Sequence, residues 1–110
     1  MRNFIAIILC LCFFNLSAQE TKFCQFIMTN VDQRAKAVEI DNFIRNKAGV
    51  TISRADVISK KYLILYKTNS NIDLTVILKW MDLLKVEYKC IREGIHGVDK
   101  IIDLKIECDE

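Results

Sequence analysis

The spacing of apolar residues predicts an α+β domain with the element order β-α-β-β-α-β and an additional C-terminal strand. Two segments place apolar residues three and four apart, as on one helix face. Short runs rich in β-formers flank and separate them, and the last run alternates strictly.

Residues 22–30 (KFCQFIMTN) open the series as a strand, with Gln25 a lone polar residue among Phe, Ile and Met. Residues 32–48 form the first helix, with Ala37, Ile40, Ile44 and Ala48 on its buried stripe and Phe43 beside it. Asp32 is its expected N-cap, and Lys47 and Gly49 mark its end. Residues 50–59 begin in alternation and lose phase at Ala55-Asp56-Val57-Ile58, which predicts a strand with an irregularity. Residues 62–67 (YLILYK) are a second strong strand, joined to the first as a hairpin through Lys60 and Lys61. Ser70 with Asp73 fits an acidic capping box for a second helix. Its stripe is Leu74, Ile77, Leu78, Met81 and Leu84, widened by Trp80 and Leu83. Residues 86–92 are the fourth strand, and Ile102, Leu104, Ile106 and Cys108 alternate as the fifth. Two helix-bearing crossovers around a central hairpin make the split β-α-β, or ferredoxin-like, arrangement. Helices then cover one sheet face and leave the other more exposed.

The first 18 residues read as a cleavable export signal. Arg2 is the positive start, residues 4–14 are an uninterrupted apolar run, and Leu16-Ser17-Ala18 supplies a small residue for cleavage. That run is too short to cross a bilayer, which takes about 20 apolar residues. The Ser-Ala-Gln junction resembles those of bacterial exported proteins. Residues 19–110 are then one domain of about 90 residues, periplasmic or secreted, with no integral membrane segment of its own. Loss of Arg2 leaves 15 basic and 14 acidic residues, interleaved along the chain. Such a balance gives no basic stripe and argues against nucleic acid as a partner.

Met28-Thr29 at the end of the first strand, Ala48-Gly49-Val50 after the first helix, and Tyr62-x-Ile64-x-Tyr66 ahead of the second together resemble the heavy-metal-associated (HMA) domain of copper chaperones and metal-transporting ATPases. That family holds soft metals with the two thiolates of an M-T-C-x-x-C loop. Aligned from Met28, Asn30 and Gln33 stand at the thiolate positions; aligned back from Gly49, Gln33 and Lys36 do. Neither alignment supplies a soft donor. The resemblance therefore implies the fold with its metal site lost, and no cofactor is called for.

Cys24, Met28, Cys90 and Cys108 are soft donors elsewhere in the chain and His96 is its only histidine, and no pair has the C-x-x-C spacing of a metal clip. Cys24 and Met28 share a strand face and read as core packing. The three cysteines fit one disulfide plus a thiol, or three buried thiols. A disulfide is expected between Cys90 and Cys108, which face each other if strands four and five form a hairpin centred near Asp99.

Three function classes follow. The first is a non-catalytic module that binds a protein or small ligand through the exposed sheet face or the 29–34 loop, with Asn30, Asp32, Gln33 and Arg34 as its candidate residues. The second is metal handling through other soft ligands. The third is an enzyme like the acylphosphatases, which share this element order and hold phosphate with an arginine at the start of the first helix. Arg34 stands in a comparable place. Its loop, however, lacks the glycines that let an anion approach the backbone, and Asp32 repels one.

Overall fold

The computed structural model of the chain describes residues 20–105 and Cys108. The expected export signal lies outside the described residues. Six elements follow in order: β1 (Thr21–Met28), α1 (Arg34–Arg45), β2 (Val50–Ala55), β3 (Lys61–Lys67), α2 (Leu74–Leu83) and β4 (Tyr88–Ile95). The strands form one sheet in the order β2-β3-β1-β4, every neighbouring pair antiparallel. This α+β arrangement is compatible with a small ferredoxin-like fold.

Central position explains β1. Strands on both sides and layers on both faces bury all six residues from Phe23 to Met28. Cys24, Phe26 and Met28 point into the core beneath the helices, with Tyr62, Ile64 and Tyr66 of β3. Phe26 meets Tyr62 and Tyr88 with ring centroids 5.0 and 5.6 Å apart, within the aromatic-pair range. Helix α1 adds Ala37, Ile40 and Ile44, and α2 adds Ile77 and Met81.

Several local expectations are corrected. Gln33, not Asp32, is the N-cap of α1 and makes no side-chain capping bond; Asp32 instead pairs with Lys60. The helix stops at Arg45, so Ala48 lies beyond it and is exposed. Asp73 caps α2 by itself, accepting from the Val76 amide at 2.9 Å. Ser70 is turned to the Lys67 carbonyl, to which it donates at 2.6 Å. Leu83 is 71 % exposed and Leu78 only half-buried, because Ile77 and Met81 set the face that α2 turns to the sheet, and Leu84 and Val86 take the buried places beyond its end. The irregularity in β2 falls between Val50 and Ile52, earlier than expected. Residues 56–59 form a turn, with the Asp56 carboxylate accepting from the Ile58 amide and the Ser59 hydroxyl.

The fifth strand is the largest difference. Residues 101–105 carry no strand, and Ile106 lies outside the described residues. After β4 the chain turns at residues 95–99, where the Asp99 carboxylate accepts the Ile95 amide at 2.8 Å. It then crosses the sheet face opposite the helices instead of pairing with β4. Gln25 anchors it there as a surrogate backbone, donating to the Ile102 carbonyl at 2.8 Å and accepting the Ile102 amide at 3.2 Å. Arg92 donates to the same Gln25 oxygen at 2.8 Å. Asp103 pairs with Lys61, and Leu104 is buried. The face expected to be exposed is thus covered in part: Phe23, Ile27 and Leu65 on it are buried, while a cleft of about 290 Å³ lined by Gln25, Leu63, Ile101 and Ile102 stays open beside the tail.

Cys90 and Cys108 form a disulfide, with Cα atoms 6.4 Å apart. No β-hairpin sets them opposite each other. A bulge places one extra residue of β4 between the partners of Gln25 and Ile27. Cys90 sits in that bulge at φ 59°, a left-handed conformation, and so leaves the alternation of Val86 and Tyr88.

Candidate functional site

The 29–34 loop separates its four candidate residues. Asn30 is spent on structure: its amide donates to the Lys85 carbonyl at 2.9 Å and accepts the Glu87 amide at 2.8 Å, tying the approach to β4 against the end of β1. Asp32 turns to Lys60 at the β2–β3 connection. The Gln33 carbonyl accepts the first amides of α1, from Lys36 and Ala37. Arg34 lines a concave surface.

That surface is a groove of about 470 Å³ between the first turns of α1 and the β2–β3 turn. Arg34, Val38 and Asp41 line its helix side; Ala55, Val57 and Ile58 line the other. Ile58 is 93 % exposed and Val38 49 % exposed. Val38 and Ile58 are the exposed large apolar side chains of this groove, one on each wall. The rim is charged. Arg34 supplies the cation, and Asp56 is an anion held below its ordinary range by the Ser59 hydroxyl and the Ile58 amide.

Beneath the groove, Asp41, Ser53 and Tyr62 form a chain of hydrogen bonds. Ser53 donates its hydroxyl to Asp41 Oδ1 at 2.9 Å, so the Tyr62 hydroxyl, 2.7 Å away, donates to Ser53. Burial is the main cause that pushes the Tyr62 hydroxyl far above its ordinary value. Asp41 also accepts the Ala55 amide at 3.1 Å, and Arg45 donates to the Ser53 carbonyl from Nε at 3.2 Å and Nη2 at 2.9 Å. A serine beside a carboxylate can suggest a nucleophile, yet Ser53 is 1 % exposed and its proton is committed to Asp41. The network acts as a clamp. Its outer members occupy backbone groups of β2, an edge strand, and so hinder another strand from adding there.

The soft donors stand apart. Cys24 and Met28 are packed in the core, and burial pushes the Cys24 thiol up to about 12. Cys90 and Cys108 are bonded to each other, and His96 is exposed in the turn after β4. Among the described residues, no three His, Cys, Asp or Glu side chains gather as a metal site. The residues at the thiolate positions of the resemblance, Asn30, Gln33 and Lys36, do not fit a soft metal, since amides and a protonated amine are poor ligands for it. Among the described residues no helix is long and apolar enough to cross a membrane.

Val38 and Ile58 were not legible as site residues. Val57 and Ile58 read as the tail of a strand, although Asp56 followed by Ser59 is a turn signal that places them at a tip. No protein-family model matches the sequence, and neither a curated protein nor a solved structure matches the chain.

Proposed function

We propose that residues 19–110 are an exported, non-catalytic interaction module of ferredoxin-like fold, similar to an HMA domain but without its thiolate pair. Its contact surface is the groove between α1 and the β2–β3 turn. The observation that carries this reading is Ile58, 93 % exposed, facing the half-exposed Val38 across one groove. The occupant is a peptide segment of a partner protein, with an aliphatic side chain between Val38 and Ile58 and an acidic residue toward Arg34. It engages side chains rather than adding a strand, because Asp41 and Arg45 already occupy the β2 edge at Ala55 and Ser53. Metal handling is less well supported, as Cys24 and Met28 are locked in the core and Cys90 and Cys108 in a disulfide. The phosphate-holding reading is weakened by the Asp32–Lys60 pair, which keeps a carboxylate at the start of α1.

Selection of a random peptide library on the mature domain tests the proposal. Enriched peptides are expected to share an aliphatic residue near an acidic one, and to lose at least tenfold in affinity for Ile58→Asp, a change worth about 1.4 kcal/mol. Peptides that bind Ile58→Asp and Arg34→Glu as well as the unaltered protein would contradict it.

A further inference from the structure

Helix α2 carries more apolar surface than the sheet uses. Ile77 and Met81 are the side chains it buries. Val76 and Trp80 are four residues apart and so share a second face. They line a separate cleft of about 530 Å³, bounded by residues 47–49 after α1 and residues 69–72 before α2.

The two walls are locked together. Gly49 has φ 96°, and a Cβ there would lie 2.5 Å from the Ser70 Cβ. Ser70 is fully engaged, donating to the Lys67 carbonyl and accepting the Ile72 amide. The polar groups left over on the rim are amides. The side chains of Asn69 and Asn71 and the Trp80 indole N–H have no hydrogen-bond partner among the described residues, and both asparagines are exposed. The single charge on the cleft is Lys47, whose ammonium lies 4.3 Å from the Phe43 ring centroid and 5.9 Å from that of Trp80.

We propose that this cleft binds a neutral polyhydroxylated ring, one sugar unit of a glycan, packed against Trp80 and Val76 and held by Asn69 and Asn71. The volume is in the range of small-molecule sites, which are mostly apolar with a few convergent polar groups. The Trp80 indole and the Val76 side chain offer apolar surface to the C–H groups of a sugar ring. Each asparagine amide offers a donor and an acceptor, the pair that adjacent hydroxyls need. No carboxylate lines the cleft to attract a cation. Its one ammonium is already held over aromatic rings, which disfavours an anion as the main ligand.

Trp80 is the chain's single tryptophan, so its emission reports on the cleft alone. The mature protein is titrated with glucose, galactose and N-acetylglucosamine, each into the millimolar range. At least one is expected to shift the emission to saturation. Asn69→Ala and Asn71→Ala, both on exposed side chains, should each weaken that binding by roughly tenfold, the scale of one lost hydrogen bond. Ile58→Asp, in the other groove, should leave it unchanged. A signal that never saturates with any of the three sugars overturns the proposal. So does saturation that the double variant Asn69→Ala/Asn71→Ala leaves intact.

Discussion

Cys24, Tyr62 and Tyr66 each carry an ionisable group into the core beneath the helices, and each is favoured there in its protonated form. Desolvation pushes the Cys24 thiol from its ordinary 9.0 up to about 12, with the charge of Glu93 adding to it. Desolvation, and then Glu93, pushes the Tyr66 hydroxyl from 10.0 up to about 12. Tyr62 donates a hydrogen bond to Ser53, whereas the Tyr66 hydroxyl has no hydrogen-bond partner among the described residues. A group with a raised folded-state pKa binds its proton more tightly folded than unfolded. The stability it contributes is complete below the unfolded pKa and is lost as pH climbs through the folded one. Urea midpoints should therefore be flat around neutrality and fall above about pH 9. Cys24→Ala should flatten the first part of that fall, between about pH 9 and 10, where the thiol is the earliest of the three to titrate when unfolded. A midpoint that holds steady to about pH 11 would contradict this account of the core.

The helices show which patterns can be read from sequence and which depend on the assembled fold. The α1 stripe of Ala37, Ile40 and Ile44 is legible because a 3.6-residue period must put those side chains on one face. The α2 stripe is legible through Ile77 and Met81 but not at its end. Leu83 has the right composition and the wrong place, 71 % exposed, because the helix finishes there and Val86 fills the core behind it. Ile77→Ala should cost about 2–5 kcal/mol, as for buried aliphatics. Leu83→Ala should stay within about 0.5 kcal/mol, as for surface changes. Denaturant melts that reverse this order would mean α2 is rotated from its described orientation. A cap signal misleads where a tertiary partner competes: Asp32 matches a local signal, yet Lys60 claims it from a distant hairpin. The tail is not legible because alternation is common to a paired strand and to a segment lying across a sheet face. What separates them is Gln25, which looks like a polar interruption of β1 and is in fact the tail's anchor.

At the scale of the molecule, the chain after β4 decides which surfaces remain available. It covers the face opposite the helices through Gln25, Asp103 and Leu104, and the Cys90–Cys108 disulfide ties it back to β4. The double variant Cys90→Ser/Cys108→Ser should lose on the order of 3 kcal/mol, the chain-entropy value for a loop this short. Hydrogen exchange should quicken at the Ile102 amide while α1 and α2 keep their protection; unchanged protection at residues 100–105 would mean the bond does not hold the tail. The groove of Val38 and Ile58 is the apolar surface we assign to a partner. The most direct test is site-specific photocrosslinking in the native cell, with the photoreactive residue at position 58 or, as a control, at the exposed Thr75 of α2. A discrete adduct from position 58 that disappears with Val38→Asp, and that position 75 does not give, is the predicted result. No adduct from position 58, or the same adduct from both positions, would contradict the assignment of this groove.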